Sequence, residues 1–194
     1  MSGKSTFLRT VGVNAVLAQT LNMCFAASYD APVLVVRCSI GRTDDLVSGK
    51  SYYIVEAESL LSLVRASANA APHLFLLDEL FRGTNATERI AAGQAVLREL
   101  LEGEGAATLH LAIAATHDAE LVDLLQDRYA AHHFSDALGG NGLLFDYRLR
   151  AGAASTRNAI ALLRLHGAPE RLIARALACA EILDRERGTK LIGR

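Results

Sequence analysis

Apolar positions along this chain change their spacing several times, and each change marks an element. From Thr6 to about Gln19 they follow helical spacing, directly behind a Gly-Lys-Ser-Thr turn. Val33–Cys38 is an apolar, β-branched run introduced by Pro32 and predicts a strand. Gly41–Ser51 is polar and loop-like. Tyr53–Ala70 returns to helical spacing through Ile54, Leu60, Leu61 and Val64. His73–Leu77 is a short apolar run ending in Asp78-Glu79, the pattern of a parallel strand buried on both faces. A helix over Asn85–Leu101, another buried strand over Thr108–Ala115 and a short helix over Glu120–Gln126 follow.

Phe134–Leu149 reads differently. Gly139-Gly140-Asn141-Gly142 lies between two short alternating segments, a hairpin signal. From Ser155 onward the pattern is helical, broken at Gly167-Ala168-Pro169, with Pro169 suited to the first turn of the next helix. Strands that alternate with helices predict an α/β fold, a mostly parallel sheet covered on both faces, with the hairpin adding antiparallel strands. The expected organisation is a core over 1–150 and a helical end over 151–194 of the same domain.

Composition narrows this picture. The 194 residues suffice for one domain with a real core, and 51% hydrophobic residues exclude disorder. A formal net charge of -1 excludes a broadly basic nucleic-acid-binding surface, so any DNA contact is local or made by another part of a longer protein. Cys24, Cys38 and Cys179 lack the spacing of a zinc or redox motif and read as reduced, buried thiols. The apolar stretch Val11–Ala27 is interrupted by Asn14, Gln19 and Asn22, which argues against a membrane span. No signal peptide is apparent, and a cytoplasmic protein is expected.

Three places carry chemistry. Ser2-Gly3-Lys4-Ser5-Thr6 supplies most of a phosphate-binding loop: a glycine for close approach, a lysine for terminal phosphates, a hydroxyl for Mg²⁺ and a helix start behind them. The first glycine of G-x-x-x-x-G-K-[ST] would precede Met1, so the front of the loop and its strand are expected upstream of this chain. Leu74–Leu77 delivers Asp78 and Glu79 to a strand end, where Asp78 fits the Mg²⁺ shell and Glu79 fits a base that polarises water. Thr116-His117 ends the next strand, and His117 suits a γ-phosphate sensor. Ligands of open α/β sheets bind at the carboxyl ends of strands, so these groups are expected to converge into an ATPase site. His132-His133 would face opposite ways on a strand and make a poor metal pair.

The ordered set resembles the ATPase domain of the MutS DNA mismatch-repair family. Asp78-Glu79-Leu80-Phe81-Arg82-Gly83-Thr84-Asn85 is similar to that family's extended Walker B, and Asp44–Ser51 followed by Tyr53 and Glu56 to its signature loop. Gly152–Ser155, Gly167-Ala168-Pro169 and Arg175-Ala176 resemble its C-terminal helical end. The resemblance implies a P-loop, ABC-like fold using ATP and Mg²⁺. It implies that Ser2, Gly3, Lys4, Ser5 and Thr6 bind nucleotide, Ser5 and Asp78 serve the metal, Glu79 is the base and His117 the switch histidine. It also implies a homodimer in which Ser51 reaches the partner's γ-phosphate; read locally, Ser51 is a helix N-cap for the segment beginning near Tyr53. DNA would be bound by parts of the parent outside this chain. Phe81 stands where the best-known members carry a small glycine, and Arg157-Asn158-Ala159 replaces a serine-aromatic-glycine pattern, which points to a divergent branch. Two other readings stay open: another ABC-like ATPase, and a degenerate fragment serving only for dimerisation. With the loop front upstream, the chain alone is expected to bind ATP poorly, and the strand Leu74–Leu77 is expected to face a gap in the sheet.

Overall fold

The computed structural model describes residues 3–41, 52–69, 71–102, 110–139, 142–154 and 159–192. They fall into two compact units. The first spans Gly3–Ala131 with Ala151–Ala153, and the second His132–Arg150 with the chain from Ala154.

The first unit is built on a parallel sheet of β1 (Val35–Ser39), β2 (His73–Asp78) and β3 (Leu111–Ala115), in the order β1-β2-β3. The register pairs Val36 with Leu74 and Leu76 with Ile113. Helix α1 (Lys4–Leu21) precedes the sheet, α2 (Tyr52–Ser67) joins β1 to β2, α3 (Ala86–Glu102) joins β2 to β3, and α4 (Ala119–Leu125) follows β3. Such crossovers are what parallel neighbours require.

β2 explains the layering. Its side chains alternate between two cores. Leu74 and Leu76 pack with Leu8 and Ala15 of α1. Phe75 and Leu77 pack with Leu60 and Leu63 of α2, Leu97 and Leu100 of α3, and Leu121 and Leu125 of α4. Both faces of the strand are covered, so its apolar run is continuous, as the sequence suggested. α1 crosses β2 closely at Gly12, where an added Cβ would stand 2.8 Å from the Leu76 side chain.

The expected gap beside Leu74–Leu77 is not there. β2 is central and pairs with β1 on one side and β3 on the other. Among the described residues β1 and β3 are the edge strands, each paired with β2 alone. Strand order within a parallel sheet is set by the crossovers, and residue spacing does not report it.

The cysteines are not buried as expected, since Cys38 and Cys179 are exposed and Cys24 is half-buried. Element ends shift by a few residues. α3 begins at Ala86 because Asn85 caps it: its Oδ1 accepts the Glu88 N–H at 2.9 Å, and the Thr84 hydroxyl donates to Glu88 at 2.7 Å. Pro169 lies just ahead of a helix and offers its carbonyl to the N–H groups of Leu172 and Ile173.

In the second unit, β4 (His132–Gly139) and β5 (Gly142–Ala151) form a two-stranded sheet. The two residues between them allow only an antiparallel pair. Helices α5 (Ala159–Leu165) and α6 (Glu170–Ile192) pack on each other. The apolar stripe of α6 is divided, with Ile173 buried and Leu172, Leu177 and Leu183 exposed.

Candidate functional site

The site forms where α1 begins and where β2 and β3 end. Gly3 precedes α1 with φ of 97°, a left-handed conformation that favours glycine. Its carbonyl accepts the Phe7 N–H at 2.8 Å, which starts the helix and leaves Lys4, Ser5 and Thr6 in the first turn. Ser2 lies outside the described residues.

Lys4 reaches across to the end of β3. Its Nζ donates to the Thr116 carbonyl at 3.1 Å and stands 3.1 Å and 3.0 Å from Nδ1 and Nε2 of His117. Burial lowers the Lys4 pKa, while the carboxylates of Glu79 and Asp78 work in the opposite direction.

Glu79 joins the same cluster. Its Oε1 is 3.0 Å from His117 Nε2, and its Oε2 accepts from Arg82 Nε. Burial pushes its pKa upward, but hydrogen bonding and charge from Arg82, with His117 and Lys4 adding, leave it below the usual carboxylate range. In the tautomer with Nε2–H donating to Glu79, Nδ1 accepts from Lys4, and the 3.0 Å approach of Lys4 Nζ to Nε2 is then not a hydrogen bond. Lysine, imidazole and carboxylate thus form one hydrogen-bonded chain over the sheet edge.

Asp78 adds a different kind of observation. Its Oδ1 is buried and finds no hydrogen-bond partner among the described residues. A buried carboxylate oxygen left so is costly unless something else engages it. At the same sheet edge is a cleft of about 360 Å³ lined by Glu79, Leu80, Arg82, Arg89, Thr116, His117 and Asp118, with neither Asp78 nor Lys4 in its lining. A larger groove of about 500 Å³ lies between α1 and β1, but its lining, including Leu8, Gly12, Val36 and Leu76, offers little to fix a polar ligand.

The structure brings together Lys4, Glu79 and His117, with Asp78 at the same strand end. Ser51, with the whole 42–51 segment, lies outside the described residues. Two features escaped the sequence reading. Arg89 makes a two-pronged bridge to Asp118, 2.8 Å from Nε to Oδ2 and 2.7 Å from a terminal nitrogen to Oδ1. A signal existed, because Arg89 sits in the first turn of α3, where a positive charge opposes the helix dipole unless it is used elsewhere. The buried carboxylate of Glu56 accepts the Phe81 N–H at 2.6 Å. Nothing in its spacing announces that bond.

A glycine-lysine-serine helix start facing two acids and a histidine at the carboxyl edge of a parallel sheet defines a P-loop α/β domain. The chain belongs to the MutS domain V family, which it matches over residues 1–184. It is 38% identical over 190 residues to DNA mismatch repair protein MutS 2 of Halobacterium salinarum, covering 95% of this chain and 21% of that protein. It is 35% identical over 189 residues to DNA mismatch repair protein MutS of Thermus aquaticus, covering 96% and 22%. With Bacillus mycoides MutS the identity is 36% over 183 residues, covering 91% and 19%. The chain therefore spans about a fifth of the length of the curated relatives it matches. Among the described residues no helix is long and apolar enough to cross a membrane.

Proposed function

We propose that this chain is the ATP-binding and ATP-hydrolysing domain of a MutS-like DNA mismatch-repair protein of a divergent branch, acting in the cytoplasm. In this reading it converts nucleotide state into the geometry of a homodimer, and that geometry controls DNA binding by other parts of the protein. The observation that carries the proposal is the chain of contacts from Lys4 through His117 to Glu79 at one sheet edge. A strand leading into the phosphate loop would take the edge of β3.

Mg²⁺ fits the donors present. It takes oxygen ligands, keeps several waters and needs only one or two protein groups beside phosphate oxygens. The buried Asp78 Oδ1 and the Ser5 hydroxyl would hold it, and it would neutralise charge on the phosphates. Lys4 binds terminal phosphate oxygens as a partly desolvated cation. Ser2, Gly3 and Thr6 complete the phosphate contacts. Glu79 is kept ionised by Arg82, accepts a hydrogen bond from water and turns its lone pair toward phosphorus. His117, bonded to both Lys4 and Glu79, senses whether a phosphate has taken the lysine from it. Ser51 reaches the nucleotide of the partner subunit.

The decisive experiment is Glu79→Gln in the complete protein. Nucleotide binding is expected to persist while turnover falls by roughly 10²- to 10⁴-fold, the usual worth of a positioned base. Near-normal turnover with intact binding removes Glu79 from that role.

A further inference from the structure

The turn that leaves β2 has unusual backbone. Of the non-glycine residues with positive φ among those described, Glu79 at 50° and Phe81 at 55° both lie in it. Left-handed backbone is unfavourable for a residue with a bulky side chain and holds only when its surroundings fix it. β2 and β3 fix one end, since the Glu79 N–H donates to the Ala115 carbonyl at 2.9 Å. The other end is fixed from α2.

α2 meets this turn at two places on one helical face. Glu56 is 4% exposed, and its Oε1 accepts the Phe81 N–H at 2.6 Å. Tyr53, one turn earlier, sets its ring 6.4 Å from the Phe81 ring, tilted by 50°. Phe81 itself is 7% exposed and packs in the core that holds Leu60, Leu63 and Leu77. Glycine would tolerate this φ at less cost, but it would give α2 no ring to pack against.

We infer that α2 positions Glu79 by gripping Phe81, with Glu56 and Tyr53 as positioning residues. Only Leu80 separates Phe81 from Glu79, so a fixed Phe81 amide fixes the direction in which the Glu79 carboxylate leaves the turn. The inference rests on the reading of Glu79 as the base.

The test uses the complete protein and two independent readouts. Glu56→Ala is expected to slow single-turnover hydrolysis by about tenfold, within the range that a small misplacement of a reacting group produces, with ATP affinity changed by less than about twofold. Glu56→Gln keeps an oxygen acceptor and is expected to restore most of the rate. Hydrogen exchange at the Phe81 amide should quicken in Glu56→Ala and remain slow in Glu56→Gln. Tyr53 is 44% exposed, so Tyr53→Ala is expected to fold and still slow hydrolysis by about threefold. A normal single-turnover rate in folded Glu56→Ala or Tyr53→Ala, or a Gln variant as slow as the Ala variant, overturns the inference. So does unchanged Phe81 exchange in Glu56→Ala. If Glu79→Gln hydrolyses normally, the base reading fails instead, and the Phe81 exchange still decides whether the grip exists.

Discussion

The β2–β3 pair has imidazoles at both ends, His73 and His110 at the amino end and His117 after β3 at the carboxyl end, and the two ends treat them in opposite ways. At the amino end, His73 is 2% exposed and stacks on Phe75 with ring centres 5.3 Å apart. His110 sets its edge against both rings, accepts the His73 N–H at Nδ1 over 3.2 Å and contacts the Ser67 carbonyl through Nε2 at 2.9 Å. At the carboxyl end, the His117 side chain is 70% exposed and shares its nitrogens with Lys4 and Glu79. The partners make the difference. Backbone groups satisfy His110 and leave its bonds closed within the fold. Charged side chains satisfy His117, and a ligand can compete for them. A histidine at a strand end is therefore assigned by who holds its nitrogens, and its position on the strand does not decide.

The largest expected effect separates the two ends by stability. Phe75 is fully buried between the core and the two amino-end imidazoles. Phe75→Ala is expected to cost about 3–5 kcal/mol in chemical denaturation, from lost burial and the cavity left behind. His117→Ala is expected to change stability by under about 0.5 kcal/mol while impairing nucleotide turnover. Equal stability losses for the two variants would abolish the contrast.

Acid sharpens the same contrast. Burial lowers the His73 pKa from its ordinary value, with His110 and Arg37 adding to the shift and the Ala71 carbonyl opposing it. The folded protein therefore keeps His73 neutral at a pH where the unfolded chain has taken up a proton. Stability from this group is complete above the unfolded value of about 6.5 and falls as pH drops below it toward the folded pKa. In that window one such group contributes a slope of at most about 1.4 kcal/mol per pH unit. Denaturation midpoints across this range should show the slope in the natural protein and a shallower one in His73→Gln. Identical slopes would mean that other groups govern the acid response.

Much of this was legible in the sequence, for identifiable reasons. β2 was readable because burial on both faces makes its whole run apolar and its two acids stand at the exit. α1 was readable from the Gly3-Lys4-Ser5 start, and the hairpin from its glycine cluster. Convergence of Lys4, Glu79 and His117 followed from the rule that parallel strands present their carboxyl ends to one edge. The neighbour order of the strands was not legible, and so Leu74–Leu77 was wrongly expected to face a gap. Glu56 was not legible as a backbone anchor either, because a carboxylate at helical spacing reads as a solvated position until the turn it reaches is known. Arg89 and Asp118 are 29 residues apart, and no local pattern links them.

That last pair gives the smallest effect and the finest test of what holds the carboxyl end. Asp118 occupies the N-cap position of α4, yet its side chain makes no capping hydrogen bond. Instead its carboxylate takes both prongs of Arg89 from α3, and its own N–H bonds the Thr116 hydroxyl at 3.0 Å. The bridge raises the Arg89 pKa, through the hydrogen bonds to Asp118 above all. The side chains are 26% and 19% exposed, so solvent screens the pair only in part. Exposed ion pairs couple by about 0.2–1 kcal/mol, and two-pronged geometry places this one near the top of that range, at about 1 kcal/mol. A double-mutant cycle of Arg89→Ala and Asp118→Ala on denaturation free energy measures it directly. If the bridge also holds the turn that presents His117, each single variant should slow nucleotide turnover, and the double variant should be little worse than either. Additive losses in turnover, or a coupling indistinguishable from zero, would leave His117 held by Lys4 and Glu79 alone. The carboxyl end would then be organised only by Lys4, Glu79 and His117 themselves, with no scaffold bridge behind them.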